Sequence, residues 1–203
     1  MNIFEKLFQE LKRKYGKPKG QWQIWCKRPK NKREREEVVI EAILTQRTNW
    51  RNVELAFNNL KKEKIISFKS ISQISPKKLE SLIKPSGFYK AKAHYLLLLA
   101  NFIIKHYGSL EKMKNEKQQE LRKKLLALKG IGLETADSIL LYALDKPIFL
   151  IDEYTRKLVK KYRLSKNLNY QFLQELFEKH LPKDFRLYQD FHALIVIDGK
   201  NKK

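Results

Sequence analysis

The sequence predicts an all-α protein from three observations. Apolar residues recur at spacings of three and four, strict alternation is missing, and Gly and Pro number only seven and six in 203 residues. Phe4, Leu7, Phe8 and Leu11 mark a first amphipathic helix. The basic stretch KRKYGKPKGQWQIWCKRPKNKRER follows, and its Gly and Pro are expected to break any helix; Trp22 and Trp25 stand out within it. A second helix is expected from about Glu36 through Gln46, with Val38, Val39, Ala42 and Ile43 inward, and a third through Val53, Ala56, Phe57 and Leu60. Ser75 and Pro76 read as N-cap and first helical residue of the next, which Pro85 ends. A turn at Gly87 then opens a long helix, apolar around much of its circumference and so expected at the centre of a core. Helices over roughly Lys117–Leu128 and Glu134–Leu144, another starting near Asp152, and two near Tyr170–His180 and Leu187–Ile197 complete the chain.

At 24.3 kDa the chain suits one domain or two small lobes with a real core. Lys and Arg number 44 against 22 Asp and Glu, a net charge of +22, which calls for a polyanionic partner. A hydrophobic content of 42% is too high for a disordered basic tail. Charge alone does not identify nucleic acid, because Lys-rich runs such as Lys112–Lys124 also suit solvated helix faces. Cys26, the single cysteine, excludes an internal disulfide and a thiolate metal cage, and suggests a reducing compartment. The four histidines, His94, His106, His180 and His192, lack the spacing of a zinc-binding pair and read as structural or surface residues, so no metal is expected. The start of the chain carries charges every few residues, and the longest apolar run, Tyr95–Ala100, is far short of the roughly 20 residues of a membrane span. A cytoplasmic protein without membrane partners is expected.

The stretch from Leu121 to Tyr162 is the most informative. Leu128-Lys129-Gly130-Ile131-Gly132 joins two helices; Ile131 can pack inward while the glycines permit positive φ and close backbone approach. Amides at the start of the following helix suit a phosphate, and Lys123, Lys124 and Lys129 add sequence-independent attraction. A GxG turn by itself is equally an ordinary helix terminator. LKGIGLETADSILLYAL followed by IDEYTRKL resembles the helix-hairpin-helix DNA glycosylases of the endonuclease III superfamily. Ile43-Leu44-Thr45-Gln46 is similar to that family's helix-ending glutamine segment, and Ser86 through Ala93 to its turn before a long helix; the resemblance covers roughly 36–198. It implies a continuous helical lobe at 36–147 containing the hairpin and a second lobe built from 1–35 and 148–203, with double-stranded damaged DNA bound in a cleft between the lobes of a monomer. It also implies phosphate contacts at Lys129, Gly130, Ile131, Gly132 and Thr135.

Asp152 occupies the place of the family's catalytic aspartate, and the chemistry is intelligible independently. Cleaving an N-glycosidic bond builds positive charge on deoxyribose, which a fixed carboxylate stabilises while orienting the attacking water. Asp152 also suits a helix N-cap, and the two roles are compatible. Bifunctional members carry a lysine in the hairpin's second helix where this chain has Glu134, and a carboxylate cannot form the imine of the lyase step. A monofunctional enzyme leaving an abasic site is therefore expected. Many relatives hold an iron–sulfur cluster through four cysteines after the last helix; Asp198 through Lys203 contain none, so a chain without cofactors is expected.

The target nucleotide must be extruded, held and replaced in the stack. Trp22, Trp25 and Trp50 are candidates for a base pocket, since a cationic alkylated purine stacks strongly on an indole. Tryptophans also serve plain core packing. Leu44-Thr45-Gln46 followed by Trp50, the segment Lys84–Tyr89 and the glutamate at 134 resemble the 3-methyladenine glycosylase branch. Phe88 or Tyr89 is then expected near the duplex gap, with Gln46 filling space or meeting the orphaned base. Removal of alkylated purines is the leading expectation. The alternatives are a glycosylase for mismatched thymine, uracil or an oxidised purine, and a non-catalytic DNA-binding protein.

Overall fold

A computed structural model of the protein describes residues 1–201. Its helices are α1 (Ile3–Tyr15), α2 (Trp22–Trp25), α3 (Lys32–Leu44), α4 (Trp50–Lys62), α5 (Phe68–Gln73), α6 (Pro76–Leu82), α7 (Tyr89–Tyr107), α8 (Leu110–Lys114), α9 (Gln118–Leu126), α10 (Leu133–Ser138), α11 (Glu153–Lys161), α12 (Tyr170–His180) and α13 (Phe185–Lys200). A 3₁₀ turn at Lys84–Ser86 precedes α7, and a π-helical turn at Ile139–Ala143 continues α10. No strand occurs among the described residues, and none of their helices is long and apolar enough to cross a membrane.

Local chemistry sets most of these ends. Ser75 accepts from the Lys78 amide with Pro76 at the first helical position. Capping boxes start α1 at Asn2 with Glu5 and α3 at Asn31 with Glu34, satisfying three backbone donors at the first start and two at the second. That second box moves the start of α3 four residues ahead of the expected Glu36. The basic stretch is not wholly irregular either: α2 forms within it, because Trp22 and Trp25, three residues apart, bury the same face. Pro85 lies inside the 3₁₀ turn, after α6 has ended. The Glu134–Leu144 helix is α-helical only to Ser138. Two short helices, α5 and α8, were not legible in the pattern.

The chain divides into two compact units: Pro29–Ile139, and Met1–Arg28 together with the chain from Leu140 onward. The sequence-based limits of 36 and 147 thus shift. Residues 29–35 carry the cap and first turn of α3. Leu140 to Leu144 are fully buried, and the Leu141 carbonyl accepts from Gln189 Nε2 at 2.7 Å, which assigns them to the unit built from the chain ends.

In the continuous unit α7 is central, packed by α3, α5, α6 and α8, with Leu96, Leu99, Ala100 and Ile103 buried. Each such leucine contributes roughly 1.5–3 kcal/mol through burial. In the end-built unit α13 packs on α1 and α11. Its core is aromatic: Phe149 stacks on Phe177 at 4.3 Å, and Phe4 meets Phe177 edge-on at 4.9 Å. The extended segment leading to Asp152 is tied to α12, where Glu178 accepts from the Phe149 amide at 2.8 Å and Gln174 Nε2 donates to the Phe149 carbonyl at 2.7 Å.

Candidate active site and nucleic-acid interface

The hairpin belongs to the continuous unit. Gly130 has φ of +84°, and a Cβ there would overlap the ring of Tyr95, so both conformation and space demand glycine. Ile131 packs inward at 4% exposed, while Lys129 and Gly132 face solvent. Gln46 Nε2 donates to the Gly130 carbonyl and to Thr135 Oγ1, both at 3.0 Å. Gln46 and Thr135, expected on DNA, therefore spend these polar groups fixing the turn, and Thr135 is buried. Beneath the turn, Arg122 and Asp137 form a bidentate ion pair at 2.7 and 3.0 Å that joins α9 to α10. The Asp137 side chain is fully buried.

A cavity of about 620 Å³ opens beside the hairpin, lined by Gln46, Arg47, Phe88, Lys92, Tyr95 and Glu134 among others. Phe88 is 64% exposed with φ of +46°, a left-handed conformation that bulky residues avoid, immediately before α7. Tyr89, the first residue of α7, is half-buried, and Glu134 is exposed. Lys92 is buried, its Nζ donating to the carbonyls of Leu44 and Ser86, both at 2.7 Å. Burial pulls its pKa down to about 8. The ammonium thus ties the end of α3, just before Gln46, to the turn that leads to Phe88.

Asp152 lies in the end-built unit as the N-cap of α11. Its Oδ1 accepts from the Thr155 amide at 2.7 Å and the Thr155 hydroxyl at 2.9 Å. Oδ2 faces His192 Nε2 at 3.5 Å, and the carboxylate side chain remains 13% exposed. Burial opposes its charge, yet the His192 imidazole and the donors of Thr155 outweigh it, so the carboxyl titrates below the ordinary aspartate range. His192 Nδ1 is 2.7 Å from the hydroxyl of Tyr142, which the π turn presents from the buried core. Trp22 and Trp25 are buried, meet edge to face at 5.7 Å, and pack against Tyr142 at 5.7 and 5.1 Å. Trp22 also meets the His192 ring at 5.8 Å. Trp50 opens α4 in the continuous unit, where its indole donates to Glu54 at 2.9 Å.

The sequence analysis named Asp152, the hairpin and the tryptophan pair, but not Lys92, the Arg122–Asp137 pair or the Tyr142–His192 contact. Helical spacing could have found Lys92, four and seven residues before the buried Leu96 and Leu99. His192 was legible as structural only. Cys26 is the single cysteine of the 203 residues, so these residues supply no set of four thiolates for an iron–sulfur cluster. No group of three His, Cys, Asp or Glu suited to a metal ion occurs among the described residues.

Residues 40–183 match the model of the HhH-GPD superfamily of base excision DNA repair proteins. A candidate DNA repair glycosylase of Methanocaldococcus jannaschii is 46% identical over 165 residues, covering 80% of this chain and 75% of its own. Endonuclease III of Thermotoga maritima is 27% identical over 158 residues, covering 77% of this chain and 70% of that protein. Among solved structures, the H. pylori 3-methyladenine DNA glycosylase bound to 1,N6-ethenoadenine superposes with a TM-score of 0.83 at 31% identity, covering 100% of this chain and 99% of that one. With its hairpin and its N-capping Asp152 in place, the chain belongs to the HhH-GPD superfamily of base excision DNA repair proteins, as a DNA glycosylase.

Proposed function

We propose that the protein is a monofunctional glycosylase that hydrolyses the N-glycosidic bond of alkylated purines such as 3-methyladenine in double-stranded DNA. The observation that carries this reading is the Asp152 carboxylate, kept ionised below the ordinary range and partly open beside the ring cluster of Trp22, Trp25, Tyr142 and His192. As the glycosidic bond lengthens, its electron pair leaves with the purine and positive charge grows on the sugar. The carboxylate stabilises that charge and orients a water, whose oxygen bonds the anomeric carbon while its proton passes to Asp152 or solvent. A purine nucleotide alkylated at a ring nitrogen as in 3-methyladenine is cationic before cleavage and its base departs neutral, so no side-chain acid has to protonate it. The same positive charge favours an aromatic surround, but Trp22 and Trp25, 5% and 4% exposed, back the Asp152 site as packed rings and do not offer the open stacking faces expected from the sequence. The likeness to the 3-methyladenine enzyme of H. pylori supports this substrate class.

The hairpin, with Lys129 exposed at its turn, takes the DNA backbone through sequence-independent contacts in this reading. Glu134 stands where an imine-forming amine is needed for strand cleavage and supplies none. Lys92, the lysine lining the neighbouring cavity, is buried with its ammonium donated to two carbonyls, which suits a structural cation better than a nucleophile.

The test is single-turnover release of base from duplexes carrying a stable 3-methyladenine analogue, 1,N6-ethenoadenine, uracil or mismatched thymine, followed by separate alkaline cleavage and by borohydride trapping on abasic DNA. Release from the alkylpurine duplexes, strand breaks only after alkali and no trapped adduct are expected. Release confined to uracil or thymine would overturn the substrate class, and an efficient adduct would overturn the monofunctional assignment.

A further inference from the structure

We infer that His192 and Tyr142 are positioning residues for Asp152: the phenol fixes the imidazole so that a protonated Nε2 faces Oδ2, aiming the carboxylate and keeping it ionised. This role presupposes that Asp152 is the catalytic carboxylate.

The Tyr142 hydroxyl has two partners, His192 Nδ1 at 2.7 Å and the Gln189 carbonyl at 3.2 Å. A carbonyl only accepts, and the phenol has a single hydrogen. If that hydrogen goes to Nδ1, the proton of a neutral ring sits on Nε2. If it goes to Gln189, Nδ1 must donate to the phenol oxygen. A neutral ring would then turn a bare Nε2 lone pair toward the carboxylate within a buried site, an arrangement avoided by the imidazolium, which carries protons on both nitrogens. Both surviving arrangements place a proton on Nε2.

Packing holds that orientation. His192 is 3% exposed, and edge-on contacts at 5.8 Å to both Trp22 and Tyr142 confine the ring. Nε2 is buried and finds no hydrogen-bond partner at ordinary length, with Asp152 Oδ2 at 3.5 Å. Because Thr155 occupies Oδ1 twice, Oδ2 is the oxygen left for sugar and water, and His192 sets its direction. The other charges around the cluster are Lys200 of α13, which interacts electrostatically with Asp152, and the Arg28–Asp190 pair and Cys26, which act on Tyr142.

Nitrogen-15 NMR of the full-length protein labelled at histidine tests the assignment without substrate: His192 should show a protonated Nε2, and a neutral ring protonated only on Nδ1 would overturn it. Carbon-13 titration of Asp152 should show its pKa rising toward the ordinary aspartate value in His192→Leu, with His192→Gln and Tyr142→Phe shifting it less. In base release, His192→Leu should lower the single-turnover rate about 10- to 100-fold, since a small displacement of a reacting group has that consequence. It should also move the acidic limb of the pH–rate profile upward and leave abasic-DNA binding within about threefold. A wild-type rate and unmoved acidic limb in a folded His192→Leu, beside an inactive Asp152→Asn, would overturn the positioning role and leave the glycosylase reading intact. If the parent releases no base, the glycosylase substrate reading fails, and an unshifted Asp152 titration in His192→Leu would overturn the positioning role separately. Should His192→Leu fail to fold, Tyr142→Phe, which removes a single oxygen, decides by the same tautomer and titration readouts.

Discussion

The hairpin and the Asp152 cluster are fixed by different kinds of interaction. Around the hairpin, the Arg122–Asp137 pair and the Gln46–Thr135 contact join side chains, while further polar side chains serve the main chain: Gln46 also holds the Gly130 carbonyl, and Lys92 holds those of Leu44 and Ser86. At Asp152, side chains meet side chains, from Tyr142 through His192 to the carboxylate, within packed aromatic rings. Backbone-directed contacts fix the shape of a surface, as phosphate recognition requires. In the proposed reading, the chain of titratable groups fixes the protonation state that catalysis by Asp152 requires. The two regions should consequently fail in different ways.

The largest effect on folding is expected at Arg122. Arg122→Met removes the bidentate ion-pair partner of the fully buried Asp137 carboxylate, a loss of about 3–5 kcal/mol measurable by denaturant unfolding, whereas breaking the exposed pair between Lys78 and Glu63 should cost under about 1 kcal/mol. Next, Gly130→Ala forces a side chain into the Tyr95 ring at positive φ. About 2–4 kcal/mol of destabilisation and weaker DNA binding should follow, while the Asp152 titration stays in place; movement of that titration would break the separation of the two regions. A smaller effect comes from Lys92. Its folded pKa of about 8 lies below the ordinary 10.5, so between those values the unfolded chain binds more protons and the contribution of Lys92 to stability rises with pH. Comparing unfolding of wild type and Lys92→Met from pH 7 to 10 should show this rise in wild type alone. The smallest change is Lys129→Gln, expected to weaken binding of all duplexes alike and to reduce the slope of log affinity against log salt by about 1.

How much the sequence revealed follows the same division. The amphipathic faces of α1 and α4 and the Ser75-Pro76 start were legible because period and cap chemistry are local. Asp152 and the hairpin were legible because motif order along the chain carries them. The Tyr142–His192 pair joins residues 50 apart and Lys92 reaches a carbonyl 48 residues away, separations that no local pattern encodes. The unit boundaries shifted for the same reason: Leu140–Leu144 continue a helical pattern in sequence, but their carbonyl and ring partners lie on α2 and α13. Trp22, Trp25 and Trp50 looked equivalent as residue types, whereas the structure buries the first two beside His192 and places Trp50 in the other unit.

In the proposed function, the Asp152 carboxylate performs chemistry beyond capping α11. Asp152→Asn keeps an oxygen for the Thr155 amide and hydroxyl, as asparagine is an equally good N-cap, while removing the charge. Single-turnover base release and abasic-duplex affinity, measured together on this variant and on wild type, decide the matter. Asp152→Asn should lose at least about 100-fold in rate with near-normal affinity and melting temperature. An Asp152→Asn protein that releases base at the wild-type rate would contradict this role and reduce Asp152 to a helix cap.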